Sequence, residues 1–577
     1  MLGFTTSDGG GAYGLELQYD SLLSGTSGRY ITARDSHGNE MPYEYQSYIR
    51  ASDGHSIVTT LDVYVQSVLE EQLSTAYIES GGQSRACGIV IDVETGGILG
   101  MATYPSFDLN DPRTLNADSQ SKLNASGYAA GTEAYLKLKQ ELQLTTWANK
   151  SITEAYMPGS TFKIVTASMA YEENLVSAGE TFYCPGYFKV GGRTIHCHKI
   201  AGHGSLTFAQ GLQQSCNPIL MMMGLRIGQE RFYNYFRSFG YLEKTGVDLP
   251  GEGVSIFYKP ENFKEIDLAT ASFGQNFKIT PLQQIMAVTT VASGGYLLTP
   301  HLLKEELDSN GNVVKSYETN VRRQVISTDT ATQLAKILEE GVSGNGGAKN
   351  AYVAGYRVAA KTGTSEKIDK KDDSGQEYYV CSCVGFAPAD APKVAVLILV
   401  DEPTKGVLYG SYVAAPYLAK VMEAILPYLG VEAVYTDKEL ANMARTVPDV
   451  AYWSVSAARK YATEHGFTVE VVGDGNVVYG QSPAAGVKVE SARARLILYT
   501  ERRAERTTVT VPNLLGRTAV SANETLAARQ LNIRIQGTNN YLSGTGAVAI
   551  AQDPPAGTEV EIGTVVTVTF RSREDPE

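Results

Sequence analysis

The sequence lacks the features that mark nucleic-acid-binding, disulfide-rich and membrane-spanning proteins. Its 49 Lys and Arg residues are outnumbered by 62 Asp and Glu, which gives a net charge of −13. Partners of polyanions normally have a basic surface, so we expect no nucleic-acid partner. Six cysteines are too few for a disulfide scaffold. The longest apolar run, residues 394–400, is far shorter than the roughly 18 residues that span a bilayer, and no signal-peptide pattern is visible.

What is present is the composition of a globular protein. Hydrophobic residues make up 43% of the 577 residues and charged residues 19%, which is enough apolar surface to build cores. A chain of this length is too long for a single core, so we expect about two to four domains.

An internal repeat in the tail marks two of these domains. Residues 447–450 (VPDV) precede a helical stretch, a strand-like segment, residues 481–486 (QSPAAG) and a further strand. The same order recurs from residues 511–514 (VPNL) to residues 552–557 (QDPPAG). Each copy predicts a small α+β unit in which one helix covers a small sheet. The two copies, residues 446–501 and 509–572, resemble the PASTA domains of bacterial wall enzymes and kinases.

Upstream of the repeats the pattern indicates mixed α and β structure. Asp62 is a candidate N-cap of a helix that runs towards Ser80. Residues 87–103 predict two strands joined by a turn at residues 94–97 (ETGG). Three further strands are predicted at residues 356–361, 377–386 and 393–400, whereas residues 1–52 predict no regular element.

A candidate nucleophile lies at the start of a helical pattern. Ser160 and Lys163 are three residues apart, so they share one face of a first helical turn. A neutral lysine there could accept the serine proton, and a helix N-terminus offers backbone N–H groups to an oxyanion. Residues 119–122 (SQSK) satisfy the same spacing, but they lie in a polar stretch without the preceding Pro-Gly, and we interpret them as chance.

Two more short motifs follow in order. Ser215 and Asn217 (SCN) precede an apolar run, and Lys361, Thr362, Gly363 and Thr364 (KTGT) follow a strand-like segment. Each has competitors: residues 343–345 (SGN) lie in a glycine-rich turn, residues 521–523 (SAN) lie inside the second repeat, and residues 244–246 (KTG) are typical of a loop. Context therefore favours the motifs at residues 215–217 and 361–364 over these competitors.

Taken together, the three motifs resemble the Ser-x-x-Lys, Ser-x-Asn and Lys-Thr-Gly set of penicillin-binding proteins. Residues 246–252 (GVDLPGE), 273–275 (FGQ), 280–283 (TPLQ) and 384–390 (VGFAPAD) resemble segments of the class B, monofunctional transpeptidases. The two-repeat tail resembles that of division and stage V sporulation protein D-type transpeptidases. The resemblance implies an α+β multidomain fold with a central antiparallel sheet flanked by helices. The implied domains are a remnant of an N-terminal pedestal (1–52), a transpeptidase domain (53–430) and the two repeats.

The resemblance also implies a reaction and a role for each motif. Ser160 attacks the penultimate D-Ala carbonyl of a stem pentapeptide, with Lys163 as general base, and an amine of a neighbouring stem resolves the ester. Ser215 relays a proton to the leaving amine, and Asn217 holds the substrate amide. The substrate carboxylate is bound by Lys361, Thr362 and Thr364, and the oxyanion by the backbone N–H groups of Ser160 and Thr364. β-Lactams are expected to acylate Ser160 and inhibit the enzyme.

Partners and location follow from the same resemblance. We expect no cofactor, and a membrane glycan polymerase as partner. We also expect action at the extracytoplasmic face of the bacterial membrane, with anchoring by an N-terminal transmembrane helix that these 577 residues do not include. The role in division, elongation or sporulation, the acceptor amine, the ligand of the repeats and the oligomeric state stay open.

A group of cysteines and histidines permits two further hypotheses. Its members near the second motif are Cys184, His196, Cys197, His198, His203 and Cys216. A zinc site is one hypothesis, but the spacing fits no common zinc pattern, and residues 203–204 resemble a family segment without metal, so we predict no metal. The other is a redox switch, in which a disulfide from Cys197 or Cys184 to Cys216 would distort the geometry of Ser215 and Asn217.

Three rival functions use the same features. A β-lactamase or β-lactam sensor shares the motifs, although no Glu-x-x-Leu-Asn lies between Ser160 and Ser215 to position a water for deacylation. A D,D-carboxypeptidase would pass the acyl group to water instead of an amine. A non-catalytic scaffold would bind the cell wall through the repeats alone.

Overall fold

The computed structural model describes residues 1–31, 47–371, 375, 377–436, 439, 445–489, 494–501, 507–537 and 547–571. It forms two compact units. The first comprises Met1–Val353 and Arg357–Val431, and the second comprises Ala354–Tyr356 and Glu432–Glu577. In the described part of the chain, no helix combines the length and the apolar character needed to cross a membrane.

The first unit begins with four short elements where the sequence predicted none. They are α1 (Gly14–Gln18), α2 (Asp20–Leu23), β1 (Arg29–Ile31) and β2 (Ser47–Ile49). Elements of three to five residues are too short to show a periodic pattern. Leu15 of α1 is buried in the core of the first unit. The assignment of residues 1–52 to a pedestal stays a prediction, and residues 32–46 lie outside the described residues.

The predicted helix and hairpin are present. They are β3 (Ser56–Thr59), α3 (Val63–Ser80), β4 (Arg85–Asp92) and β5 (Ile98–Tyr104). The Asp62 carboxylate accepts a hydrogen bond from the backbone N–H of Val65 at 2.9 Å, which satisfies one of the free donors at the start of α3. In the turn between β4 and β5, Asp92 accepts from the backbone N–H groups of Glu94 and Thr95.

Helices and short strands fill the middle of the first unit. In chain order they are α4 (Ala117–Ala125), α5 (Glu133–Trp147), α6 (Lys150–Thr153), the 3-10 turn Gly159–Phe162, α7 (Lys163–Glu172), β6 (Thr181–Cys184), β7 (Tyr187–Val190), β8 (Arg193–His196), β9 (Gly204–Thr207), α8 (Phe208–Gln213), α9 (Asn217–Ile227), α10 (Gln229–Ser238), the 3-10 turn Pro260–Asn262, α11 (Glu265–Ala271) and α12 (Pro281–Ala292). Every residue of α12 is buried, as expected for a helix in the centre of a large core.

The rest of the first unit returns to the sheet. Its elements are β10 (Tyr296–Leu298), β11 (Leu303–Leu307), β12 (Val313–Ser316), β13 (Val321–Gln324), α13 (Thr328–Ser343), the 3-10 turn Lys349–Ala351, β14 (Ala359–Lys371), β15 (Glu377–Ala387), β16 (Val394–Asp401), α14 (Gly410–Val413) and α15 (Ala415–Tyr428).

A five-stranded antiparallel sheet joins both ends of this unit, in the order β14-β15-β16-β4-β5. Helices α3, α12 and α15 contact it, so the predicted architecture of a central antiparallel sheet flanked by helices is confirmed. The first of the predicted late strands, at residues 356–361, is present, but both of its predicted limits were wrong. β14 begins at Ala359 and continues to Lys371, because its pairing with β15 runs without interruption from Ala359 to Lys367. The Lys-Thr-Gly motif therefore lies inside an edge strand and not at its end.

The second unit contains two copies of one small fold. The first copy has β17 (Arg445–Thr446), α16 (Val455–Glu464), β18 (Thr468–Val472), β19 (Gly480–Ser482), β20 (Lys488–Val489) and β21 (Arg495–Tyr499). The second has β22 (Thr508–Thr510), α17 (Ala519–Ala527), β23 (Asn532–Gly537), β24 (Val548–Asp553), β25 (Glu559–Glu561) and β26 (Val565–Arg571). Each has a three-stranded sheet with one parallel and one antiparallel pair and its own buried core.

Candidate active site

The three motifs meet at one cleft of the first unit. The cleft has a volume of 1020 Å³, large enough for a peptide or an antibiotic. Five of the eight predicted site residues line it: Ser160, Ser215, Asn217, Thr362 and Thr364. The two lysines lie beneath its floor, 0% and 2% exposed for Lys163 and Lys361 respectively.

Ser160 is held by a tightly packed turn. It lies in the 3-10 turn Gly159–Phe162, which continues directly into α7. The Gly159 N–H donates to Gly274 O at 3.0 Å, and a side chain on Gly274 would collide with the Gly159 carbonyl. On the other side Phe162 is buried against aromatic rings, including that of Phe277 at 4.9 Å between centroids. The Ser160 hydroxyl has no hydrogen-bond partner among the described residues, so its oxygen is free to react.

Lys163 points away from solvent and towards the second motif. Its Nζ lies 2.7 Å from Ser215 O, 2.7 Å from Asn217 Oδ1 and 3.2 Å from Ser215 Oγ. Desolvation by burial, and secondly the nearby charge of Lys361, lower the pKa of Lys163 well below its ordinary value. Both effects disfavour the charged form, so this amine is prepared to act as a base.

Ser215 lies between the two buried amines. It lies after α8 and before α9 with a backbone φ of 55°, a left-handed conformation that few non-glycine residues adopt. Its Oγ accepts a hydrogen bond from Lys361 Nζ at 2.9 Å and lies 3.2 Å from Lys163 Nζ. A hydroxyl in this position can pass a proton from one amine to a group in the cleft.

Lys361 is the second buried amine of the site. Desolvation lowers its pKa to about 8, so it keeps its charge at neutral pH. Its Nζ also donates to Thr362 O at 3.1 Å. A cation at neutral pH beneath this part of the cleft can attract a substrate carboxylate.

The rest of this motif is fixed by close packing of β14. A Cβ on Gly363 would lie 2.7 Å from Pro158 O and 2.8 Å from Ser382 Oγ, so glycine is required for β14 to approach the turn that carries Ser160. The Thr364 hydroxyl accepts from the Gly410 N–H at 3.0 Å.

The competing copies of the motifs have other surroundings. Lys122 forms an ion pair with Asp118 at 2.7 Å on the surface of α4, and the Thr245 hydroxyl donates to Glu252. In the competing motif at residues 343–345, Asn345 does line the cleft, and its carbonyl accepts a hydrogen bond from Gln214.

Sequence reasoning missed several residues of the cleft wall. They are Gln275, Asn276, Asn345, Gly347, Glu366 and Tyr409. A signal existed for Gln275, because residues 273–275 belong to a segment quoted above for its family resemblance. The others come from loops and an edge strand, whose meeting at one place depends on the fold and leaves no pattern in sequence.

The cysteine and histidine group lies beside Ser215. Cys184, Cys197, His203 and Cys216 bring their Sγ and ring nitrogen atoms within 4.8 Å of one another. His196 and His198, also considered from the sequence, are not part of this set. All six cysteines are free thiols, and Cys381 and Cys383 lie on β15.

Family comparisons match both units. The penicillin binding protein transpeptidase domain matches residues 86–423. The PASTA domain matches residues 445–502 and 509–572.

Similar proteins of known name include cell-wall enzymes. Stage V sporulation protein D of Bacillus subtilis is 34% identical over 513 residues, which cover 88% of this chain and 75% of that protein. Peptidoglycan D,D-transpeptidase FtsI of Escherichia coli is 26% identical over 432 residues, covering 75% and 66%. Penicillin-binding protein PbpB of Mycobacterium tuberculosis is 28% identical over 405 residues, and the matched part is 69% of this chain and 56% of that protein.

Solved structures show the same fold. Penicillin binding protein 3 of Mycobacterium tuberculosis in complex with aztreonam has a TM-score of 0.62 and 26% identity, over 75% of this chain and 88% of that chain. Penicillin binding protein 2X of Streptococcus thermophilus, at 21% identity, matches in fold with a TM-score of 0.59 over 99% of this chain and 81% of that one.

Proposed function

The chain belongs to the penicillin-binding protein transpeptidase family, and from this premise we propose that Ser160 is the acylated nucleophile of a peptidoglycan D,D-transpeptidase that cross-links stem peptides. The observation that carries the proposal is the position of Ser215 Oγ, 2.9 Å from Lys361 Nζ and 3.2 Å from Lys163 Nζ, in the cleft that Ser160 lines. This arrangement places a base (Lys163), a proton relay (Ser215) and a cation (Lys361) at the cleft of one nucleophile.

Acylation uses the lysine with the lowered pKa. Neutral Lys163 accepts the proton of the Ser160 hydroxyl as Oγ bonds to the penultimate D-Ala carbonyl carbon. The proton then passes through Ser215 to the leaving nitrogen as the carbon–nitrogen bond breaks, and free D-Ala departs. Lys163 must approach Ser160 in the substrate complex, as catalytic hydrogen bonds often tighten only there.

Substrate is held by the strand opposite the nucleophile. The terminal carboxylate is bound by the Lys361 ammonium with the hydroxyls of Thr362 and Thr364. Backbone N–H groups of Ser160 and Thr364 stabilise the oxyanion, and Asn217 holds the substrate amide. An amine of a neighbouring stem then attacks the ester. The new carbon–nitrogen bond replaces the bond to Ser160 Oγ, and the proton lost by the amine returns to Oγ, which forms the cross-link and frees Ser160.

β-Lactams acylate the same serine and so inhibit the enzyme, because they present a strained amide next to an anionic carboxylate or sulfonate. Support comes from the relatives solved in complex with aztreonam and ampicillin. We further propose a membrane glycan polymerase as partner and action at the extracytoplasmic face of the membrane, with an N-terminal transmembrane anchor.

Transfer to an amine is the test of this function. The purified chain is incubated with a stem pentapeptide ending in D-Ala-D-Ala and an excess of a D-amino acid as acceptor. We expect release of D-Ala with incorporation of the acceptor, and loss of both in Ser160→Ala. Ser119→Ala, which alters the competing Ser-x-x-Lys copy on α4, is the matched control and keeps wild-type activity.

Three other results would contradict the proposal. Hydrolysis without incorporation would assign a D,D-carboxypeptidase. Rapid turnover of a chromogenic cephalosporin would assign a β-lactamase. Cell-wall binding without any reaction with the stem peptide or the cephalosporin would assign a non-catalytic scaffold.

A further inference from the structure

Three thiols and one imidazole converge beside the second motif. Cys184 Sγ and Cys197 Sγ each lie 3.6 Å from His203 Nδ1. The Sγ of Cys216 completes a group in which all four atoms lie within 4.8 Å of one another. The three cysteines are at most 2% exposed, and none is in a disulfide.

The four residues come from two loops and from the N-terminus of a helix. Cys184 ends β6 and pairs with Gly204 of β9, so His203 lies beside it, and the His203 N–H donates to Cys184 O at 3.1 Å. Cys197 follows the hairpin of β7 and β8, and its N–H donates to Gly186 O at 2.8 Å. Both loops depend on a glycine, because a side chain on Gly202 would collide with the Cys184 carbonyl and one on Gly186 would collide with the Ile200 carbonyl.

The third thiol comes from a separate part of the fold. Cys216 is the residue before α9, and its N–H donates to Gly211 O at 2.8 Å. The cluster therefore joins the β6–β9 segment to the turn that carries Ser215 and Asn217.

From these positions we propose that Cys184, Cys197, His203 and Cys216 bind one Zn²⁺ ion as a closed, four-coordinate structural site. Tetrahedral zinc with Zn–S near 2.3 Å and Zn–N near 2.0–2.1 Å places its ligand atoms roughly 3.5–3.8 Å apart. The two Sγ–Nδ1 separations of 3.6 Å match this spacing. Three sulfurs and one nitrogen form a soft ligand set that suits zinc over magnesium or calcium, and four protein ligands leave no position for a substrate.

Binding changes no oxidation state. Each cysteine coordinates as thiolate, so every thiol that is protonated beforehand releases a proton to solvent, and His203 uses the lone pair of Nδ1. The ion also keeps Cys216 from forming a disulfide with either neighbouring thiol.

The site has a consequence for catalysis that rests on the proposed function. Cys216 separates Ser215 from Asn217, so a metal bond at Cys216 fixes the turn that presents both side chains to Lys163. These cysteines and His203 are positioning residues, and none of them touches the reacting atoms. We expect removal of zinc to slow acylation by penicillin at least about 10-fold, because a misplacement of catalytic groups by about 1 Å can cost about 100-fold in rate.

Metal content of the full chain tests the site. The protein is purified under reducing conditions without chelator, and zinc is measured by mass spectrometry of the elements. We expect about one zinc per chain. After chelation, titration with Co²⁺ should give thiolate-to-metal charge transfer and the ligand-field bands of a tetrahedral site. These spectra need no variant, so they decide the question even if a variant misfolds.

Variants identify the ligands. Cys184→Ser and His203→Ala should lose the zinc, whereas Cys381→Ser on β15 and His465→Ala at the end of α16 should retain it. Wild-type protein without zinc or a tetrahedral Co²⁺ spectrum would overturn the proposal. So would a disulfide within the cluster in freshly reduced protein, or a folded Cys184→Ser chain that retains its zinc.

Acylation by penicillin is measured separately from zinc content, so that a failure of the metal site can be distinguished from a failure of the proposed function. Ser160→Ala should bind zinc as the wild type does, even though it cannot be acylated. A zinc-loaded wild type that penicillin does not acylate would refute the proposed function and leave the metal site intact. Equal acylation rates with and without zinc would refute the positioning role.

Discussion

At the scale of single residues, the site depends on two buried lysines with different electrostatic surroundings. Both are buried, which lowers the pKa of each, but Lys163 also feels the positive charge of Lys361. Two neighbouring ammonium groups repel each other, so the charged form of Lys163 is disfavoured while Lys361 is charged. In the proposed mechanism, Lys361 is the cation that binds the carboxylate and Lys163 is the neutral amine that accepts the hydroxyl proton.

This difference predicts a bell-shaped pH profile for acylation by penicillin. The rate should rise as Lys163 loses its proton, and it should fall above pH 8 as Lys361, with a pKa of about 8, loses the charge that binds the carboxylate. Second-order acylation rates measured by stopped flow from pH 5 to 10 check this. Lys361→Arg keeps a charge that does not titrate, so its slower reaction should lack the upper limb. A wild-type rate that keeps rising to pH 10, as expected for a lysine of ordinary pKa, would contradict the assignment.

Ser215 permits a second test at this scale. Its left-handed backbone places Oγ between the two amines, at a cost of about 1–3 kcal/mol that the surrounding contacts must offset. Ser215→Ala removes the relay and should lower the acylation rate by roughly 10²–10⁴-fold, the usual contribution of general acid–base catalysis. Ser343→Ala, in the competing Ser-x-Asn motif at the exposed end of α13, should change the rate little. Equal rates in the two variants would exclude Ser215 from proton transfer.

At the scale of elements, strong local signals were predictable and long-range pairings were not. Asp62 as the cap of α3 and the turn after Asp92 depend on neighbours within four residues, so the sequence contained both. The extent of β14 depends on β15, and the wall of the cleft depends on loops at Asn276 and Asn345, which no local pattern brings together. The same limit applies to Cys184, Cys197, His203 and Cys216, because zinc patterns in sequence assume ligands close along the chain, and Cys216 lies on the other side of α8.

Gly363 tests the packing of β14 against the nucleophile turn. Gly363→Ala places a Cβ 2.7 Å from Pro158 O, so strand and turn must separate. We expect about 1–3 kcal/mol lower stability from overpacking and slower acylation, measured by urea unfolding and by penicillin labelling. Gly10→Ala is the control, since its nearest neighbour would be 3.5 Å away. An unaltered Gly363→Ala enzyme would show that β14 does not need this close approach.

A repeated glutamine tests the small folds of the second unit. Gln552 Oε1 accepts from the Leu514 N–H at 2.8 Å, and its Nε2 donates to Pro512 O at 3.0 Å. Gln481 makes the equivalent bonds to Val450 and Pro448 in the first copy. Gln552→Leu leaves both backbone groups without this partner and should destabilise the second copy by about 1–3 kcal/mol. Hydrogen exchange of β22–β26, compared with that of β18–β21, measures this; equal protection in mutant and wild type would contradict it.

At the scale of the whole molecule, one unit carries the chemistry and the other carries the duplicated small fold. The motif order and the repeats were enough to predict the family, the antiparallel sheet and both α+β copies. The limits of the domains stay predictions. The ligand of the PASTA domains stays open, because a binding preference depends on surface detail that the repeat pattern does not encode.

The central claim is that Ser160 forms the acyl-enzyme, and mass spectrometry of the protein after penicillin treatment tests it most directly. We predict an intact mass increased by one penicillin, and after digestion a modified peptide with the adduct on Ser160. The adduct should be absent from Ser160→Ala. No adduct on correctly folded protein, or an adduct on another side chain such as Ser119 or Ser215, would contradict the account.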